Sequence, residues 1–515
     1  MCNDVIYEIY PLTFNYAEGS KRDPFGGAYG NLKGITAMAE YISFLKVDAI
    51  WIAPFFLWDH NGFGYDIINY KKVDPMFGTE ADFKELCEVY HKLGIRVYID
   101  QVYNHCSQKN PWFQKSIKCQ PPYTDFFVWQ DARGYDKDGN PIPPNNWLSK
   151  WDASGESAWT WNEERQQFYM HSFDYTMPNL NINNPELRQE LLKVAKYWFD
   201  LGTDGFRLDA TTHYGCDLQY RNNPIDENGE QMRIYDINNA VGTIFLDELK
   251  ALANTYSTPK TLLAEYVFDK GRAGNEKGVK TVRESICDTF YIGSLRSNTL
   301  ENFAPSVEKA LKLSPNGLKL NWAFSNHDME RAVTRIWGRY FTPNKSALLM
   351  ELLLTLPGSI CLYQGDELGM PNPQKLSKCK NLRRDYRNIW SIANNVWDGA
   401  RTGFCYDETS HAQMALHPDS EQVKYSISNQ KNDENSTLNK VRQAIIRRKN
   451  SLFGEFGNIY FIKTEKDVIA FVRTNSTMTQ KCLCIFNFGE SPVKIAYQDK
   501  TYTIASEDVI YENLP

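Results

Sequence analysis

Long uncharged apolar runs are missing from this chain. The longest apolar stretch, Ala347–Tyr363, contains Glu351, Pro357 and Gly358. It reads as a buried helix, a turn and a strand, not as a membrane span. Residues 1–20 lack a basic segment followed by an apolar one, so no signal peptide is expected. Paired cysteines are missing as well. The 11 cysteines are odd in number and scattered, and Cys482 and Cys484 form only a lone Cys-x-Cys that puts both thiols on one face of a strand. No set has zinc-ligand spacing. Free thiols without an export signal fit a cytoplasmic protein. No sign of charge dominates: 57 Lys and Arg face 63 Asp and Glu, a net charge of −6. That balance gives no electrostatic footprint for nucleic acid or an anionic membrane. Internal repeats and low-complexity tracts are absent too, and the polar stretch Ser428–Ser436 reads as a surface loop.

What is present is length and alternation. A chain of 515 residues holds a large core and two or three domains. Short apolar, β-branched or aromatic runs recur at Val5–Tyr10, Ala49–Pro54, Arg96–Asp100, Gly205–Asp209, Thr261–Glu265, Asp288–Ile292, Trp322–Ser325 and Ser359–Tyr363. Helical patterns separate several of them, at Thr36–Leu45, Glu80–Leu93, Pro185–Leu201 and Asn239–Tyr256. The alternation predicts βα units around a parallel sheet. Eight strands feeding loops of one sense favour a closed (β/α)8 TIM barrel.

The rhythm breaks after the third strand. Residues 106–181 are rich in Pro, Asn, Gly, Asp and Trp and predict an inserted subdomain. The barrel is then expected over 1–105 and 182–450, closed by an amphipathic helix at Thr437–Asn450. From 451 to 515 the pattern changes to alternating strands, at Tyr460–Lys463, Asp467–Thr474, Lys481–Phe486 and Val493–Tyr497. These predict a small antiparallel β-sandwich, with Gly489-Glu490-Ser491-Pro492 as a hairpin turn.

Catalytic groups of a (β/α)8 barrel come from the C-terminal ends of several strands. That rule selects Asp100 and His105 after strand three, Arg207 and Asp209 on strand four, Glu265 on strand five, and His327 with Asp328 after strand seven. A single strand-end carboxylate equally suits helix capping. Three in one pocket do little for stability, because like charges repel and burial raises their pKa. They suit a reaction that needs one acid protonated while another is ionised.

Four stretches carry a resemblance. Asp100-Gln101-Val102-Tyr103-Asn104-His105, Gly205-Phe206-Arg207-Leu208-Asp209, Leu263-Ala264-Glu265 and Phe324-Ser325-Asn326-His327-Asp328 resemble, in order and spacing, the conserved regions of glycoside hydrolase family 13, the α-amylase family. Further stretches resemble its α-glucosidase and oligo-1,6-glucosidase branch. These are Pro144–Ser149, Ser157–Trp161, Gln167–Phe173, Tyr363–Glu367, and Arg401-Thr402 with Tyr406-Asp407.

The resemblance implies retaining hydrolysis of an α-glucoside, with no cofactor. Asp209 would be the nucleophile and Glu265 the acid and base, with their carboxyls about 5–5.5 Å apart. Asp328 would grip ring hydroxyls and stabilise the cationic transition state. Arg207 points to the same face as Asp209 and would keep it ionised. His105 and His327 would bind the same sugar, and Tyr65 would stack on it, with Asp66 supporting its loop. Arg401 and Asp59 stand where the pocket would close.

Several positions depart from that branch. The stretch Tyr16–Asn31 holds only Glu18 and Asp23 as carboxylates, so no metal site is expected. Gly62 occupies the position of an Asp that usually blocks the pocket in exo-acting relatives. Met177-Pro178-Asn179-Leu180-Asn181 lies between the glucosidase and neopullulanase versions of its region. His213 follows Asp209 by four residues, as in many α-amylases, where it lies near the leaving-group sugar. Ala210, small and next to the nucleophile, leans towards α-1,4 bonds. The expected activity is therefore an α-glucosidase releasing glucose from maltose and short malto-oligosaccharides, with some transglucosylation. The alternatives are an endo-acting α-amylase and a glucosyltransferase or isomerase acting on sucrose or maltose. A non-catalytic transporter subunit fits least, because the three acids are retained.

Overall fold

Eight short parallel strands close on one another in sequence order. They are β1 (Val5–Ile9), β2 (Ala49–Ile52), β3 (Arg96–Gln101), β4 (Gly205–Leu208), β5 (Thr261–Tyr266), β6 (Thr289–Ile292), β7 (Leu320–Trp322) and β8 (Ser359–Tyr363). The computed structural model describes residues 3–17, 19–22, 26–149, 156–266, 287–292, 295, 299–374 and 399–515. β1 pairs with β2 on one side and β8 on the other, which seals the ring. This is the TIM barrel that the alternation predicts.

Every residue of β1, β2, β4 and β8 is buried, because one face packs on the helices and the other fills the ring. The interior is lined by Ile6, Ala49, Trp51, Tyr98, Leu263, Ala323 and Cys361. One layer nearer the C-terminal ends the inward residues change character. There the ladder sets Arg207 of β4 beside Asp100 of β3, and Glu8 beside Trp51. Period-two alternation therefore converts an apolar plug into a charged floor within one step of each strand. The helix Pro343–Leu354, buried on nearly every side, packs against Thr437–Lys449 and backs the seam.

Between β3 and β4 the insertion forms a three-stranded antiparallel sheet, Trp129–Gln130, Gln167–Met170 and Trp159–Asn162, with a small core around Trp147, Trp159 and Phe168. After β2 a hairpin of Phe56–Trp58 and Ile67–Val73 carries the turn 59–66 towards the barrel mouth.

The C-terminal unit has β9 (Gly457–Ile462), β10 (Val468–Asn475), β11 (Lys481–Asn487) and β14 (Asp508–Leu514) in one antiparallel sheet. β12 (Val493–Tyr497) and β13 (Lys500–Ile504) form a second. Val468, Ala470, Val472, Leu483, Ile485 and Ile504 fill the space between them. Arg473, fully buried, donates to Thr355 O at 3.0 Å and fastens this unit to the barrel.

Four expectations need correction. Gly489–Pro492 is not a hairpin turn: β11 already pairs with β10 and β14 on its two edges, so the chain must leave for the second sheet. β13 and β14 were not foreseen, because their polar, half-exposed residues give no apolar alternation. Thr36–Leu45 is two helices, Leu32–Ala37 and Ala39–Leu45, separated at Met38. β7 ends at Trp322, so Phe324 and Ser325 belong to the loop that carries His327.

Candidate active site

The charged floor of the barrel is organised by one guanidinium. Arg207 Nη1 donates to Asp100 Oδ1 and Oδ2, both at 3.1 Å, and to Asp209 Oδ1 at 2.7 Å. Its Nη2 lies 3.0 Å from Glu265 Oε2. Three carboxylates from β3, β4 and β5 thus converge on a cation that is 1% exposed. Trp51 lies under the guanidinium, 5.0 Å from ring centroid to Cζ, and its Nε1 donates to Asp100 Oδ2 at 3.3 Å.

The backbone after β4 ties the acids together further. Ala210 adopts a left-handed conformation, φ 48° and ψ 39°, uncommon for a residue with a side chain. Its N–H then donates to Glu265 Oε2 at 2.9 Å, and Thr211 Oγ1 donates to Glu265 O. Strain of this kind persists only where surrounding contacts hold it, and here they do.

Burial pushes the Asp209 carboxyl well above the usual range, Arg207 opposes, and Glu265 and Asp100 add to the rise. Burial likewise raises Asp100 to about 6 against the pull of Arg207. One positive charge among three acids makes a retained proton favourable.

A second cluster adjoins the first. His327 Nε2 is 2.6 Å from Tyr65 Oη and 3.4 Å from Asp328 Oδ2. Tyr65 donates to Asp100 Oδ2 at 3.0 Å, which links the two clusters. Arg401 pairs with Asp328 through Nη2 and donates from Nε to His327 O at 2.7 Å. Its guanidinium also covers Phe63 at 4.2 Å. His105 is buried, and desolvation lowers its pKa to about 3, so the ring is neutral. Asn104 Nδ2 donates to Nδ1 at 3.2 Å, which leaves the proton on Nε2.

The structure therefore brings together Tyr65, Arg207, Asp209, Glu265, His327, Asp328 and Arg401. His105 joins them through the backbone of Tyr65, and Phe173 contacts both His105 and His213 at 5.1 Å between ring centroids. Asp59 stands apart, with one oxygen accepting from Ser107 Oγ at 3.0 Å and the other paired with Lys109. Asp66 supports its loop as expected, accepting from Asn61 N at 2.9 Å. A Cβ at Gly62 meets Met177 Cε at 2.4 Å and Asp66 Oδ1 at 2.8 Å, so a side chain there requires those two side chains to shift. Glu18 and Asp23 lie outside the described residues. Among the described residues no group of three or more His, Cys, Asp or Glu side chains is arranged to hold a metal ion. No helix among them is long and apolar enough to cross a membrane.

Sequence reasoning missed Glu8, Tyr10, Phe63 and Phe173. Glu8 left a signal, a lone charge inside the apolar run Val5–Tyr10. The three aromatics left none, because their roles depend on what folds against them.

The model of the α-amylase catalytic domain matches residues 8–454. The chain belongs to the α-amylase family. It is a glycoside hydrolase of that family, and similar proteins span nearly its full length. A probable α-glucosidase of Rhizobium meliloti is 33% identical over 94% of this chain and 89% of its own. A trehalose-6-phosphate hydrolase of Escherichia coli is 31% identical over 78% of this chain and 74% of its own. A solved α-glucosyl transfer enzyme superposes with a TM-score of 0.86 at 31% identity, covering 99% of this chain and 98% of its own.

Proposed function

We propose that the protein is a retaining α-glucosidase that releases terminal α-1,4-linked glucose from maltose and short malto-oligosaccharides. The observation that carries this is the shared guanidinium, which holds Asp209 and Glu265 side by side on neighbouring strand ends. In the first step Asp209 attacks the anomeric carbon, the glycosidic C–O bond breaks, and the proton of Glu265 goes to the departing oxygen. In the second, Glu265 takes a proton from water, the water oxygen bonds to the anomeric carbon, and the ester to Asp209 breaks. One proton among the acids is what this cycle requires: off Asp209 at attack and on Glu265 at departure. Asp328 and Arg401 grip ring hydroxyls, and His105 Nε2 donates to the same ring.

The likeness to the probable α-glucosidase of Rhizobium meliloti supports this substrate class. Ala210, small and adjacent to Asp209, supports α-1,4 over α-1,6 cleavage. A second activity, transfer of glucose to a sugar hydroxyl, is favoured by the likeness to the α-glucosyl transfer enzyme. An endo-acting amylase is the reading that Gly62 and His213 favour. Time-resolved product analysis on maltose, maltotriose, isomaltose, sucrose and starch separates these. Glucose appearing first from maltotriose, as the α-anomer by proton NMR, is the expected result. Large fragments from starch, or β-glucose first, would overturn it.

A further inference from the structure

Glu8 is a buried carboxylate with no role in the chemistry above. It lies on β1, is fully buried, and is 319 residues from its partner in sequence. Its Oε1 accepts from His327 Nδ1 at 2.6 Å and from the His327 backbone N at 3.3 Å. Its Oε2 has no partner among the described residues. An ionised carboxylate so placed needs a cation in contact, because removing water from it is otherwise costly.

The other ring nitrogen of His327 also faces oxygens, Tyr65 Oη and Asp328 Oδ2. A carboxylate at each end of the ring favours a proton on each nitrogen. The ring faces agree. Tyr10 and Tyr65 stack on opposite sides of His327 at 5.9 and 5.5 Å, with interplanar angles of 3° and 11°. Two aromatic faces favour a cation between them. Other neighbours are the edge of Trp51 at 6.1 Å, the Asp100 carboxylate, which favours the charge, and the guanidinium of Arg401, which opposes it.

We propose that Glu8 is a positioning residue for glucoside binding, holding His327 as an imidazolium between Tyr10 and Tyr65. The charged ring then fixes Tyr65, which donates to Asp100, which accepts from Arg207. A chain of hydrogen bonds thus runs from β1 to the cation that holds Asp209. Burial works against the charged ring, but Asp328 and Glu8 outweigh it and raise its pKa. The site is therefore organised below the His327 pKa and loosens above it.

This inference rests on the glucosidase reading only for its kinetic arm. NMR of protein with isotope-labelled histidine gives the direct test. The chain has 8 histidines, and His327→Gln identifies the relevant signal. That signal is expected to stay doubly protonated at pH 7 in the wild-type protein and to titrate at lower pH in Glu8→Gln. In maltose hydrolysis, Glu8→Gln should bring the basic limb of kcat/KM to lower pH. The loss is about tenfold at pH 8, mostly in KM, the scale of one charge-assisted hydrogen bond, and it recovers near pH 5.5. A neutral His327 at pH 7, or a titration unchanged by Glu8→Gln, overturns the proposal whatever the substrate proves to be. If Glu8→Gln does not fold, the wild-type titration alone decides.

Discussion

Arg207 faces Asp100, Asp209 and Glu265 with a single positive charge and is itself almost fully buried. Arg207→Ala leaves three acids without a counter-charge and is expected to cost about 3–5 kcal/mol, read as a lower denaturant midpoint. The acids behave differently from their cation. Glu265→Gln should lower kcat/KM on maltose by roughly 10²–10⁴-fold, and much less on an aryl glucoside whose leaving group needs no proton in the first step, while breakdown of the shared ester to Asp209 slows on both. Asp209→Asn should abolish turnover on both while holding or raising the melting temperature, because it removes one buried acid from a crowded group. A melting temperature well below wild type would contradict that account. At this scale the acids were legible, since strand ends and a charged residue in an apolar run are visible in one sequence. Phe63 and Phe173 were not, because an aromatic that covers Arg401 or bridges two histidines looks like any other core aromatic until its partners are placed.

The strands of the barrel were readable because both of their faces are buried, which leaves unbroken apolar runs. β13 and β14 were not, since half-exposed strands at the rim of a small sandwich need no such run. Within β4 the tightest position is Gly205. A Cβ there meets Thr261 O at 2.5 Å and the Tyr98 ring at 2.8 Å. The carbonyl belongs to the neighbouring strand and cannot step aside. Gly205→Ala should destabilise the protein by about 1–3 kcal/mol and reduce activity by displacing Arg207 two residues on. Unchanged stability by thermal melting would show that β4 has more room than the structure gives it.

The whole molecule carries an unusual set of buried acids. Burial raises Asp66 and Glu367 to about 7, against an ordinary carboxylate value near 4. Each holds a proton in the folded chain over a pH range where the unfolded chain has lost it. These acids make stability fall as pH rises through that range, while the lowered His105 and His171 oppose them chiefly below the ordinary histidine pKa of about 6.5. His327, raised as well, adds to the fall. The melting temperature is therefore expected to be higher at pH 6.5 than at pH 8, and a flat or rising profile would exclude this assignment. The ring closure has a consequence of another kind. Glu8 is made well before its partner His327 and the strand that seals its other edge, Ser359–Tyr363, which come some 320 and 350 residues later. At about 5–20 residues per second, the first strand waits tens of seconds on the ribosome with an uncompensated charge in an apolar segment. Hydrolytic activity thus reports that the two ends of the barrel have met, and a nascent chain stopped before Ser359 has no finished site to show.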